Sequence, residues 1–367
     1  MPGKPNLLYA MTLRRSAQLA VVLGLLAVGL WLVRNKKEEA SRKPAQVATK
    51  PASAIKPRSA AEIMQAPNKP SKYSEVTIRN LVEDAVIPVK DDFSRAEVEA
   101  FLERHGRTTG NLLAASMLLR DLSFVREAVK ADPGSRAAQL ELALKGESAT
   151  ERASAIAAFR ALEPDNALGD YLAADHAFES GDAGAAASAL AKSLDSPVYA
   201  NWKAEVRVGM ESAYRDAGYE PIVAKYMGLF SAASYELNPL GVVTRRLTEL
   251  HSEFIHSADF DAADPTLMLA LSIGRRLQDQ SPYESLQGVK FEKFVLRQVD
   301  PSLAIGPDGQ TAAVRLDELL VKEKEAKAIL GVHSKMGSAD AATQSQFIDM
   351  SKTDGELAAL KWLREQK

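Results

Sequence analysis

The side chains able to do chemistry are few and scattered. Their densest gathering is His251-Ser252-Glu253-Phe254-Ile255-His256, followed by Asp259, Asp261 and Asp264. Histidines and carboxylates close together invite a metal, but ligands on one helical face must lie three or four residues apart. These two histidines are five apart, so they diverge by about 140° around a helix. The three aspartates lack the mid-loop glycine and distal glutamate of a calcium loop. The stretch therefore reads as a polar helix end followed by an acidic, capped loop, and no metal is expected. Asp91-Asp92 is a carboxylate pair, but adjacent surface acids are usually solvated or cap a helix, and nothing marks this one for acid/base work.

Other chemistries lack their motifs. There is no G-x-x-x-x-G-K phosphate loop, no G-x-G-x-x-G, no G-x-S-x-G elbow and no H-E-x-x-H. The chain has no cysteine, which removes disulfides, thiolate nucleophiles and thiolate zinc sites. No cofactor is called for, and the sequence does not read as that of an enzyme.

Charge is divided along the chain. The overall balance is −2. Residues 34–72 hold ten Lys/Arg and three Glu, and residues 73–367 hold 33 Lys/Arg against 45 Asp/Glu. A basic stem thus precedes an acidic body. An acidic body is a poor match for nucleic acid, which needs a concentrated positive face.

Ala17–Val33 reads AQLAVVLGLLAVGLWLV, without a charge. Seventeen helical residues span about 25 Å, and flanking arginine stems extend the fit. Arg14 and Arg15 precede the run; Arg34, Lys36 and Lys37 follow it. No small-residue cleavage pattern follows, so the segment reads as an uncleaved signal-anchor in the lipid bilayer rather than a removed signal peptide. Strict Lys/Arg counting places the body in the cytoplasm. A short N-terminal anchor with basic residues ahead of it, the spacer and the lack of cysteine point the other way. The expectation is a single-pass inner-membrane protein of a bacterial cell with its body in the periplasm. Ala20 and Gly24 form a small-xxx-small pair, which leaves a homo-oligomer open.

The stem, residues 34–72, carries five prolines among Ala, Ser and Lys. It has too little apolar surface to fold and reads as a disordered, extended spacer.

From about residue 73 the pattern turns helical. Ser94-Arg95-Ala96-Glu97 is a capping box, and the helix after it should bury Val98, Phe101 and Leu102 and stop at Gly106. Further helices are expected over Leu112–Leu122, Phe124–Ala131, Ala137–Lys145, Glu151–Leu162, Ala167–Glu179 and Ala183–Leu194. In the region 240–367 they are expected over Val242–His256, Pro265–Leu277, Leu286–Val299, Ala312–Leu330 and Gly355–Glu365. Gly331 should end the fourth of these, with Leu316, Leu319, Leu320, Ala326 and Leu330 on one face. Short helices with short connectors suggest stacked antiparallel hairpins.

The clearest unit runs from Pro164 to Pro197. Ala174 and Ala186 would let two helices cross closely, Gly181 can take the positive φ that ends the first helix, and prolines mark the ends. Asp182 follows Gly181 in the turn. This unit resembles a tetratricopeptide repeat (TPR), and weaker copies extend the resemblance over about residues 110–230. The resemblance puts the pattern's large apolar position of the second helix on Leu190 and its next small position on Ser193. Asp170 departs from the pattern, standing where a large apolar residue is usual. The resemblance implies an all-α fold: TPR-like stacked hairpins, an α-solenoid, over 73–239 with a further helical region over 240–367. It also implies that the first helix of each hairpin lines a concave, protein-binding face. In the best unit those positions are Leu168, Tyr171, Asp175 and Phe178, with the two aromatics either anchoring a peptide or packing between hairpins.

The function these readings imply is a membrane-anchored scaffold or adaptor that binds another envelope protein. The alternatives are an accessory chaperone holding client segments and an enzyme with an unrecognised site in 240–367.

Overall fold

A computed structural model describes residues 77–78, 93–230, 236–305 and 309–366. The expected anchor at 17–33 and the stem at 34–72 lie outside the described residues. Among those described, no helix is long and apolar enough to cross a membrane.

The described chain is all-α. Its helices are α1 (Arg95–His105), α2 (Thr109–Leu119), α3 (Ser123–Ala131), α4 (Arg136–Lys145), α5 (Ala149–Leu162), α6 (Ala167–Ser180) and α7 (Ala183–Asp195). They continue with α8 (Ala204–Asp216), α9 (Pro221–Phe230), α10 (Leu237–His256), α11 (Phe260–Gln278), α12 (Pro282–Leu296) and α13 (Ala312–Val332). A 3-10 turn (His333–Gly337) leads to α14 (Ala341–Thr353) and α15 (Glu356–Glu365).

Local sequence sets the helix ends. The Ser94 hydroxyl accepts from the Glu97 amide, and the Glu97 carboxylate takes the Ser94 amide at 2.7 Å. Ser281 and Glu284 repeat the device at the start of α12. Gly181 ends α6 at φ 73°, a left-handed conformation that costs glycine nothing. Ala174 and Ala186 are fully buried where α6 and α7 pack. Asp170, the departure from the repeat pattern, is buried as well. Its carboxylate takes Arg160 at 2.8 Å and the Ser196 hydroxyl at 3.2 Å, which ties α5 to α6 and the end of α7.

Several expected boundaries move: the helix expected from Val242 begins at Leu237, the one expected over Leu286–Val299 runs Pro282–Leu296, and the one expected over Leu112–Leu122 runs Thr109–Leu119. The helix expected from Pro265 begins at Phe260, because Asp259 accepts from the Ala262 amide and caps it, leaving Pro265 inside. The helix expected to stop at Gly331 runs on to Val332. Gly331 is helical and exposed, so it is merely a tolerated weak point of about 1 kcal/mol. Of the face expected in α13, Leu319 is buried but Leu320 is exposed.

Beyond the hairpins α2–α3, α4–α5 and α6–α7, the chain turns back on itself. Helix α8 packs on α2, the start of the stack. Helix α10 then packs on α6, and α11 reaches α7. The Arg276 guanidinium of α11 donates to the carbonyls of Ser193 (2.7 Å) and Ser196 at the end of α7. Carbonyls at a helix end lack the regular intrahelical partner; the Ser193 carbonyl also takes the Ser196 amide, at 3.4 Å. Helices α12, α13 and α15 follow in contact, and α14 joins α15 to α9. Among the described residues, one apolar core includes side chains from Ile78 to Leu363.

Candidate protein-binding corner

The four residues expected on a concave face separate into two pairs. Leu168 and Tyr171 are closed in, at 0% and 1% exposure. The return of α10 and α11 covers the face of α6 that an open stack would leave bare. The Tyr171 hydroxyl faces Ser193 of α7 and Ser272 of α11, and burial raises its pKa. Asp175 and Phe178, one and two turns further on, are only partly covered.

Phe178 packs against a small cluster made of Leu250 and Phe254 of α10 and Ala262 and Ala263 of α11. The turn between those helices is held tightly. His251, buried, donates from Nδ1 to the Ala263 carbonyl at 3.0 Å. His256 is exposed and bonds the Ser252 carbonyl of its own helix, so the two histidines part as their spacing implied. The turn leaves Ile255 42% and Phe260 60% exposed.

Around these apolar side chains the charge is predominantly negative. Residues 175–182 and 247–264, brought together by the Phe178 contact, contain eight Asp/Glu and no Lys/Arg. Arg152 reaches Glu179 at 2.5 Å, and Arg246 reaches Glu249 at 3.1 Å. Asp175 is pushed up to about 6, first by burial and then by Glu179, against the pull of Arg152. One of its oxygens is buried without a hydrogen-bond partner. Glu253 is raised by burial and by Glu249, against Arg246. At both carboxylates, burial and a neighbouring acid outweigh the nearby arginine.

A second polar cluster was invisible to local sequence reading. Lys203 Nζ lies 2.8 Å from Glu236 Oε1 and 3.2 Å from Glu284 Oε1. Asn201 Nδ2 donates to the same two oxygens at 3.2 and 2.6 Å. All three charged side chains are nearly enclosed, Lys203 at 12% exposure being the most open. At Glu284 burial alone would raise the pKa, but Lys203 and the bonds from Ser281 outweigh it and the carboxyl is lowered. At Glu236 burial outweighs Lys203 and the pKa is raised. Trp202, between the two donors, takes φ 51°, and Arg136 lies 4.6 Å from its ring centroid. A non-glycine residue held there costs about 1 kcal/mol or more. Here the cost sets Asn201 and Lys203 toward the carboxylates. The cluster ties the loop before α8 to the starts of α10 and α12, and its polar groups are spent on one another.

The corner is suited to binding: apolar side chains in water, ringed by carboxylates. Fold and corner together define an all-helical array of hairpins with an acidic, aromatic-tipped end. No family model, no curated protein and no solved structure matches the chain.

Proposed function

We propose that this chain is a membrane-anchored, TPR-like helical-repeat adaptor whose body binds another protein of a bacterial envelope complex. The apolar run Ala17–Val33 would hold it in the inner membrane, and residues 34–72 would give the body reach into the periplasm. The hairpin array supplies a large, shaped surface.

The observation that carries the reading is the exposure of Phe260, at 60%, on the α10–α11 turn, whose helices pack against Phe178 of α6. A large aromatic on a well-held turn is the kind of side chain that dominates protein interfaces. The buried charges around Lys203 favour the same reading, because they serve closure of the fold and leave the surface as the functional part. The test is cross-linking and affinity capture of the intact protein from its native membrane. A protein partner in stoichiometric amount is expected; recovery of the chain alone counts against the adaptor.

A further inference from the structure

We infer that the corner between α6 and the α10–α11 turn docks a Lys/Arg-rich amphipathic segment of the partner, with Phe260 inserted among its apolar side chains. This rests on the adaptor reading and narrows it to one surface and one partner chemistry.

Three observations choose the occupant. First, the corner has eight acids and no Lys/Arg in residues 175–182 and 247–264. Among the described residues, Arg152 pairs with Glu179 and Arg246 with Glu249, and Asp175, Glu253, Asp261 and Asp264 make no ion pair. Like charges crowded at one end are self-repelling, and a cationic partner relieves that repulsion. Second, Ile255 and Phe260 stand exposed within this field. A purely basic segment would leave them in water, so the partner must bring apolar side chains as well. Third, competing occupants fit less well. A second copy would set eight acids against eight, and nucleic acid and anionic lipid meet the same repulsion. The basic stem of this chain has the right charge, with ten Lys/Arg. Its large apolar residues are few and its five prolines prevent a continuous helical stripe.

The test uses the full-length chain in detergent and three synthetic peptides of about 18 residues: a Lys/Leu amphipathic helix, a Glu/Leu counterpart and a Lys/Ser peptide of equal charge. The Lys/Leu peptide should bind and weaken as salt is raised. The Lys/Ser peptide should bind about ten-fold more weakly, and the Glu/Leu peptide not at all. Phe260→Ser should weaken the Lys/Leu peptide about ten-fold, because exposed aromatic anchors carry much of an interface's affinity. Asp261→Asn with Asp264→Asn should weaken it and flatten the salt dependence. Val314→Ser, on exposed α13, should change nothing.

Equal binding of the Lys/Ser and Lys/Leu peptides would overturn the proposal, as would indifference to Phe260→Ser. Tighter binding after deletion of residues 34–72 would show that the stem occupies the corner and would overturn it too. If membrane capture yields a partner whose retention ignores Phe260→Ser, the corner fails while the adaptor stands. If capture yields no partner, the adaptor itself fails.

Discussion

Where α8 crosses α2, the backbones of Gly209 and Gly110 meet, and a Cβ on Gly209 would run into the Gly110 carbonyl oxygen. From the other side, a Cβ on Gly110 would lie 2.8 Å from the Glu205 carbonyl oxygen. This contact returns the chain to the start of the hairpin stack. Gly209→Ala should therefore destabilise by about 1–3 kcal/mol, since backbone cannot yield as a side-chain tip can. Gly241→Ala is the control. Its Cβ would meet only Phe291 at 3.4 Å, so the variant should be neutral or slightly stabilising. Urea denaturation of both variants distinguishes the two cases.

Lys203 lies between two buried carboxylates, and its loss removes the cation that both face. Lys203→Met should cost about 3–5 kcal/mol. Glu236→Gln should be much milder, because burial already favours the neutral form of Glu236 and Lys203 keeps Glu284. A Glu236→Gln loss as large as that of Lys203→Met would show that Glu236, not Glu284, is the essential partner.

Asp175 makes stability depend on pH. Its pKa is about 6 when folded, against an ordinary 3.8, so the folded chain holds the proton more tightly than the unfolded chain. The contribution is full below about pH 4 and is lost as pH rises through 6. The shift corresponds to about 3 kcal/mol at most, and screening of this partly exposed group reduces that to about 1 kcal/mol. Asp175→Asn should raise the melting temperature at pH 8 and leave it nearly unchanged at pH 4.

His333 has the opposite sign. Burial against Tyr226 and Phe230, with ring centroids 5.5 and 4.5 Å away, lowers its pKa from 6.5 to about 4. The unfolded chain then binds more protons between those values. The stability from neutral His333 is full above 6.5 and is lost as pH falls through 4, by about 3 kcal/mol in all. In His333→Phe, the change in melting temperature between pH 7 and 4 should shrink.

Much of the helical layout was legible because its causes are local. Ser94 with Glu97, Gly181 with its positive φ, and Ala174 with Ala186 act within a turn or a hairpin. The start of α11 lies ahead of the expected Pro265 because Asp259, one residue in an acidic stretch, caps the helix. At the site, the resemblance to a tetratricopeptide repeat implies the stripe Leu168–Tyr171–Asp175–Phe178 but not what covers it. That depends on Arg276 reaching the end of α7, a contact across 83 residues for Ser193. The meeting of Asn201 with Glu284 spans another 83. Such pairings leave no periodic signal, so neither the closure nor the acidic corner can be read from one stretch of chain.

The most direct test places a photo-reactive amino acid at position 260 of the full-length protein in its native membrane, with position 314 on α13 as the control. The account predicts a protein adduct at 260, mapping to a Lys/Arg-rich amphipathic segment, and none of that adduct at 314. An adduct confined to the chain's own stem or to a second copy would contradict it, as would equal labelling at both positions.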